Sequence, residues 1–127
     1  MAADDYAVVV GITKYPGFED LKGPENDAVS FREWLLSDDG GGLPERQVFL
    51  VVSSAYQEEG DPLQAKPQTG QVDPVFDHLI ERGMERGGRL GRRLYIFLAG
   101  HGFGPDIEDA ALFMANAAPL RLGYHIP

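Results

Sequence analysis

Apolar residues are concentrated in three short runs, which are separated by longer stretches rich in charged residues, glycine and proline. The runs cover residues 6–12, 48–53 and 94–100, and each is nearly continuous rather than alternating. Continuous runs of this length, rich in β-branched and aromatic residues, are typical of strands that are buried on both faces. The pattern therefore predicts a mainly parallel sheet.

Two segments between these runs carry apolar residues at helical spacing. The first covers residues 26–36, with Asn26 or Asp27 available as the N-cap. In the second, Asp73 is placed to act as the N-cap and Pro74 to occupy the first helical position. The order strand, helix, strand, helix, strand predicts an α/β fold in which helices cover the faces of the sheet.

The connecting segments are strongly polar. Residues 37–46 and 54–72 are predicted to form mobile surface loops. Residues 81–93 contain a cluster of arginines, namely Arg82, Arg86, Arg89, Arg92 and Arg93. We interpret this cluster as a solvated connector, and the alternative is a contact surface for an acidic partner.

Length and composition limit the possible functions. The 127 residues, 43% of them hydrophobic, are enough for one domain covering residues 1–127. The net charge of −9 argues against binding to nucleic acid or to an anionic membrane, and it favours a basic peptide as ligand. The absence of cysteine excludes disulfides and thiolate metal sites within the chain. With an acidic start and no long apolar stretch, the chain is expected to be cytoplasmic.

The third apolar run ends in a histidine, His101, which lies between Gly100 and Gly102. Functional side chains of α/β folds gather at the carboxyl ends of the strands, so His101 is the first candidate for a catalytic residue. The flanking glycines would let a substrate or a second loop approach closely. The alternative is a solvated loop histidine, and we expect no role for His78 or His125.

Other kinds of site are disfavoured by spacing. The acidic group Asp106, Glu108 and Asp109 lacks the glycine and the ligand periodicity of a calcium loop. The glycines around His101 do not form a dinucleotide fingerprint, and the chain has neither a P-loop lysine nor a serine in a nucleophile-elbow context. We therefore expect no metal and no cofactor.

The order of three motifs resembles that of the caspase-like cysteine peptidases, in particular their prokaryotic and metacaspase branch. The motifs are the first apolar run, the segment LKGPENDA at residues 21–28, and the third run ending in Gly-His-Gly. Residues 112–117, LFMANA, are similar to the short strand that follows the histidine loop in that family. The resemblance covers residues 6–117 and implies a three-layer caspase-like fold, here incomplete.

The resemblance also implies roles for three residues. His101 would partner a cysteine thiolate and protonate the leaving amine, and the backbone N–H of Gly102 would help to hold the oxyanion. Asp27 would help to line the pocket for the residue before the cut, where a carboxylate prefers Arg or Lys. The loop 13–20 contains no arginine, which also favours basic over acidic specificity. The alternative role for Asp27 is to complement the dipole of its helix.

One departure from the family is decisive for activity. The nucleophile of caspase-like peptidases lies on a later strand, and this chain contains no cysteine. We therefore expect the chain alone to be inactive, and we expect a cysteine-bearing segment or second chain to complete the fold. The alternatives are a non-catalytic caspase-like module for interaction or regulation and, outside the family, a small α/β domain whose polar loops bind a ligand.

Overall fold

Three parallel strands form the main sheet in the computed structural model of the protein, which describes residues 2–103, 111–118 and 125–126. Strand β1 is Asp5–Gly11, β2 is Val48–Val52 and β3 is Arg93–Ala99. Their order in the sheet is β2-β1-β3, and both pairings are parallel. Each strand lies within one residue of the apolar run that predicts it.

The central strand, β1, is buried along its whole length. It is hydrogen-bonded on both edges, with Val9 opposite Leu50 of β2 and Phe97 of β3. A strand that has neighbours on both edges and helices on both faces meets no water, which explains its nearly continuous apolar sequence. The prediction of full burial is therefore confirmed for β1.

Helix α1, Pro24–Leu36, and helix α2, Thr69–Glu85, pack on opposite faces of the sheet. On one face, the β1 residues Ala7 and Val9 share a buried cluster with Ala28 and Leu35 of α1. On the other face, the alternate residues of β1 share a cluster with α2; they include Val8, Val10, Val72 and Leu79. The predicted α/β class, a parallel sheet flanked by helices, is confirmed and is consistent with part of a caspase-like fold.

The start of α1 differs from the prediction. The helix begins at Pro24, and its N-cap is Gly23, which has no side chain to cap with. Neither Asn26 nor Asp27 is the N-cap, because both lie inside the first turn. Proline is favoured at the first helical position because its missing N–H would have no partner there.

The start of α2 was also predicted wrongly, with Asp73 as cap. The helix begins at Thr69, after the N-cap Gln68. The backbone N–H of Gln68 donates to Oε1 of Gln71 at 2.7 Å, and the N–H of Gln71 donates to the backbone carbonyl of Gln68 at 3.0 Å. Pro74 therefore lies inside the helix, where its ring crowds the carbonyl of the residue four positions earlier. That residue is Gly70, which is exposed and surrounded by open space. Its carbonyl loses the hydrogen bond from residue 74, and water can replace that bond.

Strand β3 departs furthest from the predicted burial of all three strands, whereas β2 departs from it only at Phe49 and Leu50, which are half-buried. Its inner face packs on α1, where the ring of Phe97 stacks on Phe31 at 5.1 Å between centroids. On the other face, three large side chains are exposed: Leu94 by 45%, Ile96 by 53% and Leu98 by 41%. The prediction is wrong here because, within the described residues, no element covers that face of β3.

A short antiparallel sheet follows β3, with the order β4-β5-β6. Strand β4 is Gly102–Phe103, β5 is Ala111–Phe113 and β6 is His125–Ile126. Strand β5 confirms the short strand predicted around residues 110–115. The acidic group at residues 106–109 lies outside the described residues.

A short 3-10 turn, Ala2–Asp4, precedes β1, and the described polar connectors contain three more: Glu45–Gln47, Ser53–Ala55 and Pro62–Gln64. The second long connector ends at Gln68, since residues 69–72 belong to α2. It is anchored by two buried residues, Ala65 and Pro67, and the carbonyl of Pro67 accepts a hydrogen bond of 2.9 Å from Ala115. Within the described part of the chain, neither α1 nor α2 is long and apolar enough to cross a membrane.

All five arginines of the cluster donate hydrogen bonds to groups of the same chain. At the start of β1, the fully buried carboxylate of Asp5 accepts two hydrogen bonds from Arg92, at 3.2 Å from Nε and 3.1 Å from Nη2. Arg82 donates to the hydroxyl of Tyr6 at 2.7 Å. These contacts close the end of the sheet that lies opposite His101.

The ion pair of Asp5 predicts a specific loss of stability in acid. The hydrogen bonds from Arg92 lower the pKa of Asp5 below its ordinary value, although burial opposes this shift. The folded pKa is therefore below the unfolded value of about 3.9. The ion pair stabilises the protein above that pH, and its contribution is lost as the pH falls from there towards the folded pKa.

We expect the urea midpoint of the wild type to fall more steeply between pH 5 and pH 2 than that of Asp5→Asn. The variant should be less stable at neutral pH, because an amide binds the guanidinium more weakly than a carboxylate does. Equal slopes for the two proteins would contradict the assignment.

Candidate active site

His101 lies at the point where the strand order of the main sheet reverses. From β1 the chain passes through α1 to β2 on one side, and it returns through α2 to β3 on the other side of β1. The loops that follow β1 and β3 therefore meet at the carboxyl ends of two neighbouring strands. In open α/β sheets this point is the usual position of a binding site. Here it brings His101 against the loop 12–23.

The imidazole of His101 is held by three residues of that loop. Its Nε2 lies 2.7 Å from the backbone oxygen of Glu19. A carbonyl oxygen only accepts hydrogen bonds, so Nε2 carries the hydrogen. The ring meets Tyr15 edge-on at 4.7 Å between centroids, and Phe18 lies at 6.0 Å. The ring is thus fixed in orientation as well as in tautomer.

The loop that supplies these contacts is closed by its own hydrogen bonds. The backbone N–H of Tyr15 donates to Oδ1 of Asp20 at 2.9 Å, and that of Leu21 donates to the carbonyl of Thr13 at 2.8 Å. The N–H of Phe18 donates to the carbonyl of Tyr15 at 3.0 Å. These bonds fix the path of the backbone on both sides of residue 19, so the carbonyl that meets His101 has a defined direction.

Ser53, directly after β2, anchors the start of the same loop. Its hydroxyl oxygen accepts hydrogen bonds from the backbone N–H groups of Thr13 at 2.9 Å and Lys14 at 3.2 Å. Ser53 is buried. A short polar side chain at the end of β2 therefore sets the course of the loop that leaves β1.

Tyr15 links the loop to His101 by a hydrogen bond and by a contact between the two rings. Its ring is fully buried, and its hydroxyl accepts from the backbone N–H of His101 at 3.0 Å and donates to the carbonyl of Phe113 at 2.9 Å. Burial raises the pKa of Tyr15 far above its usual range, so the phenol keeps the proton that it donates. Gly100 is required here, because a Cβ at that position would collide with the hydroxyl of Tyr15.

Gly102, the residue predicted to supply an oxyanion donor, is the exposed first residue of β4, opposite Leu112. Asp27 is exposed in the first turn of α1, where its charge complements the helix dipole. The structure thus places Gly102 beside His101, and it does not bury Asp27 in a pocket. Their roles in catalysis and in specificity stay predictions.

A cavity of about 360 Å³ opens at the carboxyl ends of β1 and β2. Its lining includes three acidic and three lysine side chains: Glu25, Glu58, Glu59, Lys14, Lys22 and Lys66. Glu25 also accepts a hydrogen bond of 2.8 Å from the N–H of Ser54. Among the described residues, neither His101 nor Asp27 lines this cavity. Within residues 2–103, 111–118 and 125–126, no cluster of three potential ligand side chains could hold a metal ion.

Three residues of the site were missed in the sequence. Glu19 contributes through its backbone, which leaves no signal in the identity of a side chain. Tyr15 and Ser53 act through single hydroxyls that bond backbone groups about 40 or more residues away in the chain. Ser53 stands at the end of an apolar run, and polar residues at strand exits are the one signal that could have identified it.

We expect removal of the Ser53 hydroxyl to lower the stability of the protein. In Ser53→Ala the N–H groups of Thr13 and Lys14 lose their acceptor, which should cost about 1–3 kcal/mol of unfolding free energy. Ser54→Ala is the matched control, because Ser54 is exposed and contributes its backbone N–H, which the substitution retains. Urea unfolding of the two variants checks this, and equal stabilities would contradict the anchoring role.

Comparison with known proteins indicates a relation to proteases. The chain matches no protein-family model. It is 34% identical over 100 residues to a probable protease from a Desulfuromonadales bacterium. The matched residues make up 77% of this chain and 12% of that protein, so the chain corresponds to a small part of its relative. The similarity supports a relation to proteases.

Proposed function

We propose that this chain is the histidine-bearing part of a caspase-like cysteine endopeptidase that cuts after Arg or Lys. The observation that carries the proposal is the fixed imidazole of His101, whose Nε2–H points at the carbonyl of Glu19. The similarity to a probable protease supports the hydrolytic part of the proposal. The chain spans about one eighth of that relative, so the complete activity would require further polypeptide.

The geometry gives the two nitrogens of His101 different tasks. With Nε2 bound to a backbone oxygen, Nδ1 is the atom that can exchange a proton with a nucleophile, and within the described residues it has no hydrogen-bond partner. Nδ1 would take the proton of a cysteine thiol as the thiolate attacks the scissile carbonyl. The same proton would pass to the leaving amine when the C–N bond breaks, and water would then hydrolyse the thioester. The N–H of Gly102 would stabilise the oxyanion.

The cysteine must come from another segment or a second chain, and β3 offers the place where it would join. Within the described residues, β3 has a strand neighbour on one edge only, and three large apolar side chains are exposed on one of its faces. An apolar groove of about 350 Å³ continues this surface between α2 and the end of the arginine-rich connector. A further strand that paired with β3 in parallel would bring its carboxyl end next to His101.

Basic specificity is supported by charge. The chain carries 20 acidic and 11 basic residues, and Asp27 lies near the start of the helix that follows the histidine-binding loop. An exposed carboxylate at this position can bind a guanidinium or an ammonium group of a peptide substrate. The loop before it contains Lys14, whose ammonium is paired with Asp20 at 3.4 Å.

A second candidate function is an inactive caspase-like module that binds a partner. The exposed face of β3 favours it as much as it favours a completed peptidase, because apolar surface at an open sheet edge is typical of a binding surface. The two functions differ in their dependence on His101, which a binding module does not need.

The first test is cleavage by the native protein purified together with the cysteine-bearing polypeptide. We expect hydrolysis of fluorogenic peptides that end in Arg or Lys, its abolition by a thiol-blocking reagent, and a loss of at least about 100-fold in His101→Ala. A folded, complete assembly without peptidase activity would contradict the proposal. So would full activity of His101→Ala.

A control variant separates assembly from chemistry in the same experiment. Ile96→Lys places a charge on the exposed face of β3, where the isolated chain tolerates it and a covering segment does not. It should prevent co-purification of the second polypeptide, whereas His101→Ala should leave co-purification intact. Binding that persists in Ile96→Lys would place the partner elsewhere.

A separate prediction concerns Asp27. In the assembled enzyme, Asp27→Asn should lower kcat/KM for peptides ending in Arg or Lys by about 10-fold or more, because a charged hydrogen bond to the substrate is lost. Because the first turn of α1 keeps Glu25, the stability should change by less than about 1 kcal/mol. Asp38→Asn, an exposed aspartate beyond the end of α1, is the control. If Asp27→Asn lowered the stability but left kcat/KM for these peptides unchanged, Asp27 would serve only to complement the helix dipole.

A further inference from the structure

The antiparallel pairing of β4 and β5 stops at His101. Its register sets Gly102 opposite Leu112 and Phe103 opposite Ala111, so that the next pair is His101 and Phe113. In an antiparallel pair of this kind, the two residues exchange both of their N–H···O bonds. One of these is present, since the N–H of Phe113 donates to the carbonyl of His101 at 2.8 Å.

The reciprocal bond runs through the hydroxyl of Tyr15. The N–H of His101 donates to that hydroxyl at 3.0 Å, and the hydroxyl donates onward to the carbonyl of Phe113 at 2.9 Å. A side chain from the loop after β1 is thus inserted between two strand residues that would otherwise pair directly. The neighbouring residue is Gly100, where any Cβ would collide with the same hydroxyl.

We propose that Tyr15 is the positioning residue of the site: its hydroxyl holds the hairpin open at His101 and so directs the imidazole to the carbonyl of Glu19. The consequence for catalysis rests on the proposed function; the positioning itself does not. The ring of Tyr15 packs edge-on against the imidazole, and its hydroxyl fixes the backbone of the same residue. One side chain therefore determines both where His101 stands and how its ring is turned.

Loss of the hydroxyl alone has a defined structural result. In Tyr15→Phe the ring and its packing remain, while the N–H of His101 loses its acceptor. The acceptor that the register of β4 and β5 sets opposite this N–H is the carbonyl of Phe113, and a direct bond to it would extend the pairing of the two strands by one residue pair. That closure moves His101 away from the loop after β1, which weakens the contact between Nε2 and Glu19.

The test compares Tyr15→Phe with Tyr6→Phe by nitrogen-15 NMR of the isolated chain. Tyr6 is also buried, and its hydroxyl also receives one short hydrogen bond, from Arg82 at 2.7 Å, at the opposite end of the sheet. We expect the ring of His101 to be held as the Nε2–H tautomer in the wild type and in Tyr6→Phe. In Tyr15→Phe, we expect a mixture of both tautomers.

The assembled enzyme provides the second readout. Tyr15→Phe should lower kcat by about 10- to 100-fold with KM nearly unchanged, since the reacting group is misplaced while the substrate-binding surface is retained. Tyr6→Phe should keep both constants within about twofold. A stability loss shared by the two variants is expected and does not distinguish them.

Two results would overturn the proposal: an unchanged Nε2–H tautomer in folded Tyr15→Phe, or equal effects of the two substitutions on kcat. If Tyr15→Phe does not fold, hydrogen exchange of the wild type decides, because a backbone N–H bonded to a buried hydroxyl must exchange slowly. Fast exchange at His101 would then contradict the inserted hydroxyl. A correct tautomer in an assembly without peptidase activity would instead contradict the proposed function and leave the positioning intact.

Discussion

The complete burial of β1 is the constraint on which the rest of the structure depends. A strand that is bonded on both edges and covered on both faces leaves no room for an unpaired polar group, and each end must be closed by specific contacts. At its start, the carboxylate of Asp5 is neutralised by Arg92. At its end, Gly11 lets α1 approach, because a Cβ there would lie 2.7 Å from Ala28. The loop that leaves this crowded end is the one that holds His101.

The sequence could predict the strands because each of them coincides with a continuous apolar run, which in β1 is fully buried. It could not predict the start of either helix. The sequence pointed to aspartate and asparagine as caps because of their side-chain type, whereas the observed N-caps are Gly23 for α1 and Gln68 for α2. It also failed on the outer face of β3, since an apolar side chain looks the same in a sequence whether or not another element covers it. Burial depends on which element packs against a strand, and the sequence of the strand does not specify that element.

The position of His101 could be predicted from the sequence because it directly follows the third apolar run, and functional side chains of α/β folds gather at the carboxyl ends of the strands. Its surroundings were not accessible. They consist of a backbone carbonyl, a hydroxyl from a distant loop and a serine after β2, all brought together by the parallel order of the sheet. The arginine cluster shows the same limit, because Arg82 and Arg92 reach back to β1 across about 80 residues of chain.

The acceptor for the imidazole of His101 belongs to the main chain. Every amino acid carries the same carbonyl, so position 19 is free to vary in side chain without altering the contact, provided that the loop keeps its path. Selection on this part of the site would then act on Tyr15, Asp20 and Ser53, which set that path, and leave little trace at residue 19. An alignment of relatives would therefore overlook the group that contacts the imidazole of His101 directly and would mark its more distant supports instead.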